Sequence, residues 1–362
     1  MGHKTGLSTK DKTLLCLKNN TGFVSGEEIS RRLALSRMAV SACVKTLRSE
    51  GYEIESVTRR GYKLLHSPDV LSAGEIAWRL QDTARMEKVY CLEETDSTNT
   101  FLLSSAMDNA PGGSVAVADM QTAGRGRMGR AFYSPKGLSV YLSYLICPPS
   151  DSVHSFPPSF SENNKRTSAP STDTPLPSLY SPAAWTSLTS CTAVAVANAM
   201  ERVCSLRPHI KWVNDLYLEE KKVTGILTQM EIEPESAHVR RIVIGIGVNA
   251  NGKNEDFPAE LHGIAGTLES ACGHGISRAQ LAAEIIRELD KMTSEWPACQ
   301  ESFLQSYRRD CFIVGKRITV ITPGNPGRAA QVLEITDDFA LRVRYEDGQT
   351  EDLHGGEISI RF

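Results

Sequence analysis

Hydrophobic and polar positions divide the chain into three stretches of different period. Ser25-Gly26-Glu27-Glu28 reads as a capping box opening a helix with Ile29 and Leu33 on one face. Ser36 stands as N-cap of a second helix, with Val40, Val44 and Leu47 inward and Gly51 past its end. Extended runs at 52–55 and 62–65 flank Thr58-Arg59-Arg60-Gly61, so residues 1–66 predict a winged helix-turn-helix. After the short linker His66-Ser67-Pro68-Asp69, residues 67–313 mix apolar runs with helical periods. Strands are predicted at 115–118, 139–145, 225–228 and 242–246, and helices at 185–204 and 277–295. Strands outnumber helices and do not alternate with them regularly, which predicts an α+β fold around a mixed sheet. Residues 314–362 are all short strands, at 317–321, 331–335, 340–345 and 357–361, with Asp347-Gly348 as a hairpin turn. A small SH3-like β-barrel is the expected packing. The segment 148–182 breaks the pattern, holding eight of the 17 prolines and nine serines, and is expected to be a disordered or loosely packed insertion.

Composition changes this picture in two places. A chain of 362 residues, 41% hydrophobic, is long enough for three cores. It has no apolar run of about 18 residues, and Met1-Gly2-His3-Lys4 lacks an apolar leader, so a cytoplasmic protein without membrane contact is expected. The nine cysteines include no CxxC pair, which predicts neither a disulfide framework nor a metal site. The net charge of −3 conceals an asymmetry: residues 1–66 carry 12 Lys/Arg against 6 Asp/Glu, the rest 28 against 37. Arg37, Ser41, Lys45 and Arg48 form one polar, basic stripe on the second helix. With Arg59 and Arg60 in the hairpin, they predict a DNA-binding surface, the helix in the major groove and the hairpin on phosphates.

Three elements of the middle stretch carry candidate chemistry. Gly124-Arg125-Gly126-Arg127-Met128-Gly129-Arg130 combines backbone freedom, positive φ and exposed N–H groups with planar guanidinium donors, the chemistry of an anion-binding loop. It is neither a phosphate loop with Gly-Lys-Ser/Thr nor the GxGxxG of a dinucleotide fold. Lys211-Trp212-Val213-Asn214-Asp215-Leu216 suits a strand end from which a lysine reaches a ligand. Thr95-Asp96-Ser97-Thr98-Asn99-Thr100 reads as a helix N-cap, or equally as a cup of donors and acceptors for a polar ring.

Together these elements resemble the biotin protein ligases, in particular the bifunctional class that also represses the biotin biosynthetic operon. The resemblance runs from about Ser25 to Arg361 apart from the insertion. It rests on Asp96-Ser97-Thr98-Asn99, on Gln121-Thr122-Ala123-Gly124-Arg125-Gly126-Arg127 through Gly129-Arg130, and on Ser134-Pro135. Further matches are Lys211-Trp212 with Asn214-Asp215-Leu216-Tyr217-Leu218, Gly225-Ile226-Leu227, Gly247-Val248-Asn249 and Gly355-Gly356-Glu357-Ile358-Ser359.

The resemblance implies a two-step reaction: biotin and Mg-ATP (ATP with Mg2+) give biotinyl-5′-adenylate, whose acyl group passes to a lysine of a biotin carboxyl carrier protein. Biotin would be bound by Ser97, Thr98, Asn99 and Gln121 at the ureido ring, with Gly225 and Ile226 along its tail. Arg125, Gly126 and Arg127 would close over the adenylate, and Lys211 would bridge carboxylate and phosphate. Arg127, Arg130 and Asn249 would lie on the nucleotide side, and Arg125, Arg127 and Lys211 would be the catalytic cations. Asp215 would at most orient its loop. Operator DNA and a homodimer in the adenylate-bound state are the implied partners. The sequence departs from the family at Val213, where proline is usual, at Met128, often charged or polar, and at Ala34, often glycine. Two alternatives remain, a lipoate or octanoyl-type ligase and a non-catalytic ligand-sensing transcription factor.

Overall fold

The computed structural model describes residues 5–148, 182–233, 239–296, 300–321 and 327–360. The N-terminal unit is built from α1 (Thr9–Lys18), α2 (Gly26–Leu33), α3 (Arg37–Ser49), and the antiparallel hairpin β1 (Glu53–Val57) and β2 (Gly61–His66). Ser25 accepts from the Glu28 amide at 3.0 Å, but the Glu28 carboxylate turns to Arg32, so only half of the expected capping box forms. Ala34 ends α2 in the left-handed region with φ 52°, the conformation for which glycine is the usual choice. Ser36 caps α3 through the Ala39 amide. Leu14, Leu17, Ile29, Val40, Val44, Leu47 and Ile54 form the core of this unit, which leaves the opposite face of α3 in solvent. A winged helix-turn-helix results.

The middle of the chain contains α4 (Ala73–Leu80), β3 (Val89–Leu92), α5 (Thr98–Leu103), β4 (Val115–Ala118), β5 (Val140–Ile146) and α6 (Pro182–Cys204). It continues with β6 (His209–Lys211), β7 (Asp215–Leu218), β8 (Lys221–Ile232), β9 (Val239–Val248), α7 (Leu268–Cys272), α8 (Arg278–Glu295) and α9 (Gln300–Asp310). The strands form one sheet in the order β3-β4-β5-β9-β8-β7-β6, parallel only between β3 and β4. Period-two alternation sorts its side chains. Val115, Val117, Leu142, Ile244 and Ile246 face α6 and α8, whereas Ala116, Leu145 and Val243 face Leu102 of α5. Each fully buried aliphatic side chain contributes about 1.5–3 kcal/mol. The sheet thus carries the α6–α8 layer on one face and α5 on the other.

The last unit is an antiparallel sheet of β10 (Arg317–Ile321), β11 (Arg328–Ile335), β12 (Leu341–Tyr345), β13 (Thr350–Leu353) and β14 (Glu357–Ile360), in the order β13-β12-β11-β10-β14. Gly348, with φ 85°, makes the predicted Asp347-Gly348 turn, and its amide bonds the Tyr345 carbonyl. Trp212 ties this unit to the cleft, its indole N–H donating to the Phe339 carbonyl at 3.0 Å while Tyr307 packs edge-on against Phe339.

Most predicted elements form within a few residues of their expected ends. The helix expected from residue 185 begins at Pro182, and the strands expected at 225–228 and 242–246 are the centres of the longer β8 and β9. The linker at 66–69 is not free: Ser67 accepts from Lys18 and Asp69 binds Arg278. The insertion predicted at 148–182 lies, save for its two end residues, outside the described residues. Among the described residues no helix is long and apolar enough to cross a membrane.

Candidate ligand cleft and DNA-facing surface

The segment before α5 folds differently from a simple helix cap. Ser97 holds the N-cap position with φ −158°, yet its hydroxyl makes no capping bond. The Thr98 amide is capped from another part of the chain, by Oε1 of Gln121 at 2.9 Å, which also accepts from the Thr98 hydroxyl. Gln121 in turn donates to Ser134 Oγ at 3.0 Å. Asn99 donates through Nδ2 to Gln229 Oε1 at 2.7 Å and to the Leu227 carbonyl at 3.2 Å, and Ser143 donates to its Oδ1 at 2.6 Å. Ser97, Thr98 and Asn99 are each at most 4% exposed. Asn99 therefore has both amide hydrogens engaged and one oxygen lone pair left. Its role in this conformation is to fix the turn. Thr98 and Gln121 are likewise bonded, to each other and to Ser143 and Ser134, and Ser97 makes no capping bond.

Glycines make the approach possible. A methyl group on Gly245 would lie 2.8 Å from Cγ and 2.9 Å from Nδ2 of Asn99, so β9 admits that side chain only because residue 245 lacks one. On the same strand, Gly247 lies under the ring of Phe132, 2.5 Å from where a methyl would sit, and Gly225 on β8 lies under the same ring. Phe132 is a cleft residue with no earlier signal beyond its place after the arginine loop.

The loop 124–130 doubles back on itself. Gly126 N–H donates to the Arg130 carbonyl at 2.7 Å and Phe132 N–H to the Gly124 carbonyl at 2.9 Å. The expected run of positive φ is confined to Met128 (58°) and Gly129 (73°), while Gly126 is extended at −105°. Gly124 serves a different need: a methyl there would collide with the Phe132 carbonyl and Ser134 Oγ. Arg127 reaches out of the loop in two directions. Its Nη1 donates to Asn214 Oδ1 at 2.9 Å and its Nη2 to the Gly356 carbonyl at 2.6 Å, between β13 and β14. The C-terminal sheet therefore takes part in holding this loop.

Lys211 ends β6 and faces Asp215, the first residue of β7, across a tight turn whose Trp212–Val213 peptide is cis. Asn214 closes the turn onto β8 by donating to the Ile226 carbonyl at 2.9 Å. Asp215 pairs with Lys222 at 2.7 Å, which gives it a definite partner and brings in a second lysine that sequence reasoning missed. The available signal was a cation immediately preceding the apolar run of β8. Asn249 donates to the Gly266 carbonyl at 3.0 Å and so pins the loop between β9 and α7.

These parts converge. Ser97, Thr98, Asn99, Gln121, Arg125, Gly126, Arg127, Arg130, Lys211, Gly225, Ile226 and Asn249 all line one cavity of about 500 Å³. Phe132, Tyr133, Phe257, Leu261, Ile264 and Ile358 join them. Its walls carry five cationic side chains, the three arginines with Lys211 and Lys222, against the single carboxylate of Asp215. Such a chamber attracts an anion with several oxygens. One end offers hydroxyls and amides in a dry wall, the middle is apolar over Gly225 and Gly247, and the other end is cationic with an aromatic rim. Its size is that of a small-molecule site, and its walls set apolar surface beside many polar and charged groups. Among the described residues no three His, Cys, Asp or Glu side chains converge to hold a metal.

The predicted DNA-facing residues Arg37, Ser41, Lys45, Arg48, Arg59 and Arg60 are all exposed. They are not equivalent. Arg48 donates to the Ile54 carbonyl through Nε at 3.1 Å and Nη2 at 2.6 Å, and to Ser56 Oγ at 2.5 Å, so it joins α3 to the wing. Arg37 pairs loosely with Glu27, both side chains being at least 70% exposed. Arg60 stacks over Phe23 with its guanidinium 4.3 Å from the ring centre. Met38, next to Arg37 in the first turn of α3, is 84% exposed.

Comparison with known proteins finds two family models in this chain. An HTH domain matches residues 9–63, and the biotin/lipoate A/B protein ligase family matches 91–160 and 174–249. The bifunctional ligase/repressor BirA of Bacillus subtilis (strain 168) is 36% identical over 286 residues, 78% of each chain. That of Escherichia coli (strain K12) is 29% identical over 369 residues, covering 97% of this chain and 98% of the relative. Among solved structures, the biotin protein ligase from Aquifex aeolicus in complex with biotin and ATP superposes with a TM-score of 0.58 at 22% identity. That match covers 75% of this chain and 98% of the other, a likeness of fold.

Proposed function

The chain belongs to the bifunctional ligase/repressor members of the biotin/lipoate A/B protein ligase family, and from that premise we propose that its cleft joins biotin to ATP and passes biotin to a carrier lysine. The observation that carries this reading is the single cavity in which a hydroxyl–amide cluster, an apolar passage and five cations meet. The ureido ring is assigned to Ser97, Thr98 and Gln121, with Asn99 holding their turn in place. The valeryl tail follows Gly225 and Ile226 beneath Phe132. The carboxylate then lies toward Lys211 and the arginine loop, with Arg127, Arg130 and Asn249 on the nucleotide side.

In the first step a biotin carboxylate oxygen attacks the α-phosphorus of ATP. The bond from phosphorus to the bridging oxygen breaks, pyrophosphate leaves, and the mixed anhydride remains. Two anions must approach each other, so the barrier is largely electrostatic, and fixed cations aimed at the oxygens lower it. Charge-assisted bonds of this kind contribute about 1.5–3 kcal/mol each. Lys211 neutralises carboxylate and phosphate together, and Arg125 and Arg127 close over the product. In the second step the neutral amine of a carrier lysine attacks the acyl carbon, AMP leaves, and an amide forms with loss of a proton. ATP would enter with magnesium already on its phosphates, where the ion would neutralise phosphate charge; Asp215, the carboxylate lining the cleft, is paired with Lys222.

The HTH domain gives the chain its repressor part. Operator DNA is the partner proposed for Lys45, Ser41, Arg37, Arg59 and Arg60, and the adenylate-bound chain is proposed to dimerise on it. The units 1–66, 67–313 and 314–362 are the corresponding division of labour, and ATP, carrier and DNA place the work in the cytoplasm. Transfer of labelled biotin to a biotin carboxyl carrier domain tests the reading: the wild type transfers, and Arg127→Ala and Lys211→Ala fall by at least a hundredfold. Transfer of lipoate but not biotin would replace it with the lipoate alternative. Ligand-responsive DNA binding with no transfer would leave only a sensor.

A further inference from the structure

Arg278 opens α8 outside the cavity, and its side chain is 4% exposed. A buried cation needs full pairing, since removing one partner leaves an uncompensated charge. Asp69, three residues beyond β2, supplies most of it. Arg278 donates its backbone N–H to Asp69 Oδ1 at 2.9 Å, Nε to Oδ2 at 2.7 Å and Nη2 to the Asp69 carbonyl at 2.8 Å. Its remaining arm, Nη1, donates to Asp119 Oδ1. Burial works against the guanidinium charge, and the two carboxylates outweigh it.

The partners lead to two separate segments that line the cleft. Asp119 directly follows β4 and stands two residues before Gln121, which caps α5 and lines the cavity. Asp69 Oδ2 also accepts from Asn251 Nδ2 at 3.2 Å, and Asn251 stands two residues after Asn249 on the nucleotide side. Asn251 is itself fixed by the Ile276 amide, which donates to its Oδ1 at 2.7 Å, just before α8. Three segments distant in sequence meet at one guanidinium, a fourth joins them through the bond from Asn251 to Asp69, and Asp119, Asn251 and Arg278 do not line the cavity. The winged unit is seated nearby through a buried Lys18–Glu75 pair at 2.9 Å and a bond from the Tyr52 hydroxyl to Glu75 at 3.0 Å.

We propose that Arg278, clasped by Asp69 and Asp119, is a positioning residue that sets the Gln121 and Asn249 rims of the cleft against the segment leaving the winged unit. The proposal rests on the reading of that cleft as the biotin and nucleotide site. The clasp makes residues 67–69 part of the ligand site without touching ligand. Loosening it lowers the fraction of chains whose two rims are preformed, so apparent affinity falls while the reacting groups are unchanged.

Arg278→Ala leaves two carboxylates unpaired and tests folding more than positioning. The informative variants are Asp69→Asn, whose side chain is 34% exposed, Asp119→Asn, and the two combined, all in the full-length chain. In ATP–pyrophosphate exchange with biotin, each single variant raises KM for biotin and for ATP about tenfold and keeps kcat within twofold. Because both act through one guanidinium, the double variant rises by less than the product of the singles. Without any ligand, hydrogen exchange at the amides of 119–122 and 249–252 quickens in Asp69→Asn. KM values within twofold of wild type, a multiplicative double variant, or wild-type amide exchange overturns the proposal. If the wild type shows no exchange with biotin, it is the site reading that fails, and the amide measurement still decides whether the clasp positions the rims.

Discussion

Replacing Gly245 by alanine probes how the ring-binding turn is held. The added methyl would lie 2.8 Å from Cγ and 2.9 Å from Nδ2 of Asn99, closer than carbon approaches either atom. No positive φ is involved, so the cost is steric. Asn99 must move, and with it go its bonds to Gln229, Leu227 and Ser143. Each bond is worth about 0.5–1.5 kcal/mol net. Alanine returns about 0.4–1 kcal/mol by restricting the unfolded chain. The bonds win, and Gly245→Ala is expected to lose about 0.5–4 kcal/mol of stability, with a central value near 2. The displaced turn also carries Ser97 and Thr98, so KM for biotin is expected to rise at least tenfold, with a smaller change in KM for ATP. Urea unfolding gives the first quantity and ATP–pyrophosphate exchange the second. Asn99→Ala loses the same three bonds, so Gly245→Ala added to it should cost almost nothing further. A single variant within about 0.5 kcal/mol of wild type with unchanged KM would refute the reasoning. Fully additive losses in the double variant would refute it equally.

Other expectations follow from the same contacts. Arg127→Ala removes the link to the exposed Gly356 carbonyl and leaves the buried Asn214 Oδ1 without that donor, so stability is expected to fall by about 1–3 kcal/mol while kcat/KM for adenylation falls at least a hundredfold; Arg127→Lys, which keeps charge but not the fork, should recover little. Lys45→Ala is expected to weaken DNA binding and to reduce its salt dependence by about one counterion. Arg48→Ala should instead destabilise the wing by about 1–3 kcal/mol, because its guanidinium holds Ile54 and Ser56; equal effects of the two variants on both readouts would contradict the assignment. Burial opposes the charge of Asp310, yet hydrogen bonds from Arg309 and Arg207 hold its carboxyl below the usual carboxylate range. The folded chain therefore binds that proton less readily than the unfolded one. The contribution is complete above the unfolded value near 3.9 and disappears as pH falls through the lower folded value. Asp310→Asn should flatten the loss of stability below about pH 4, and an unchanged acid profile would argue against the pairing.

Local pattern made much of the architecture readable. Val115–Ala118 and Arg317–Ile321 have the residue types that only a strand buries well, and both form at the expected ends. The stripe Arg37, Ser41, Lys45 and Arg48, about 100° round the helix from Val40, Val44 and Leu47, is exposed. What escaped was long-range. Gln121 caps α5 from 23 residues away, which displaced Ser97 from the role its position implied. Arg48 looked like part of the DNA-facing stripe because sequence spacing cannot show that the Ile54 carbonyl lies beneath it. Lys222 was passed over because its partner, Asp215, adjoins it only once β7 pairs with β8. Sequence position sets Asn99 among the cleft residues, and the fold adds that Ser143, Leu227 and Gln229 also bond its amide. In each case the deciding partner lies on another element, where periodicity carries no information.

The defining step of the proposed reaction is activation of biotin by ATP. Exchange of labelled pyrophosphate into ATP isolates that step from carrier and DNA. With the purified full chain, biotin is expected to drive exchange that disappears in Lys211→Ala and that lipoate does not support. Exchange driven by lipoate alone, or biotin-driven exchange undiminished in Lys211→Ala, would contradict the account.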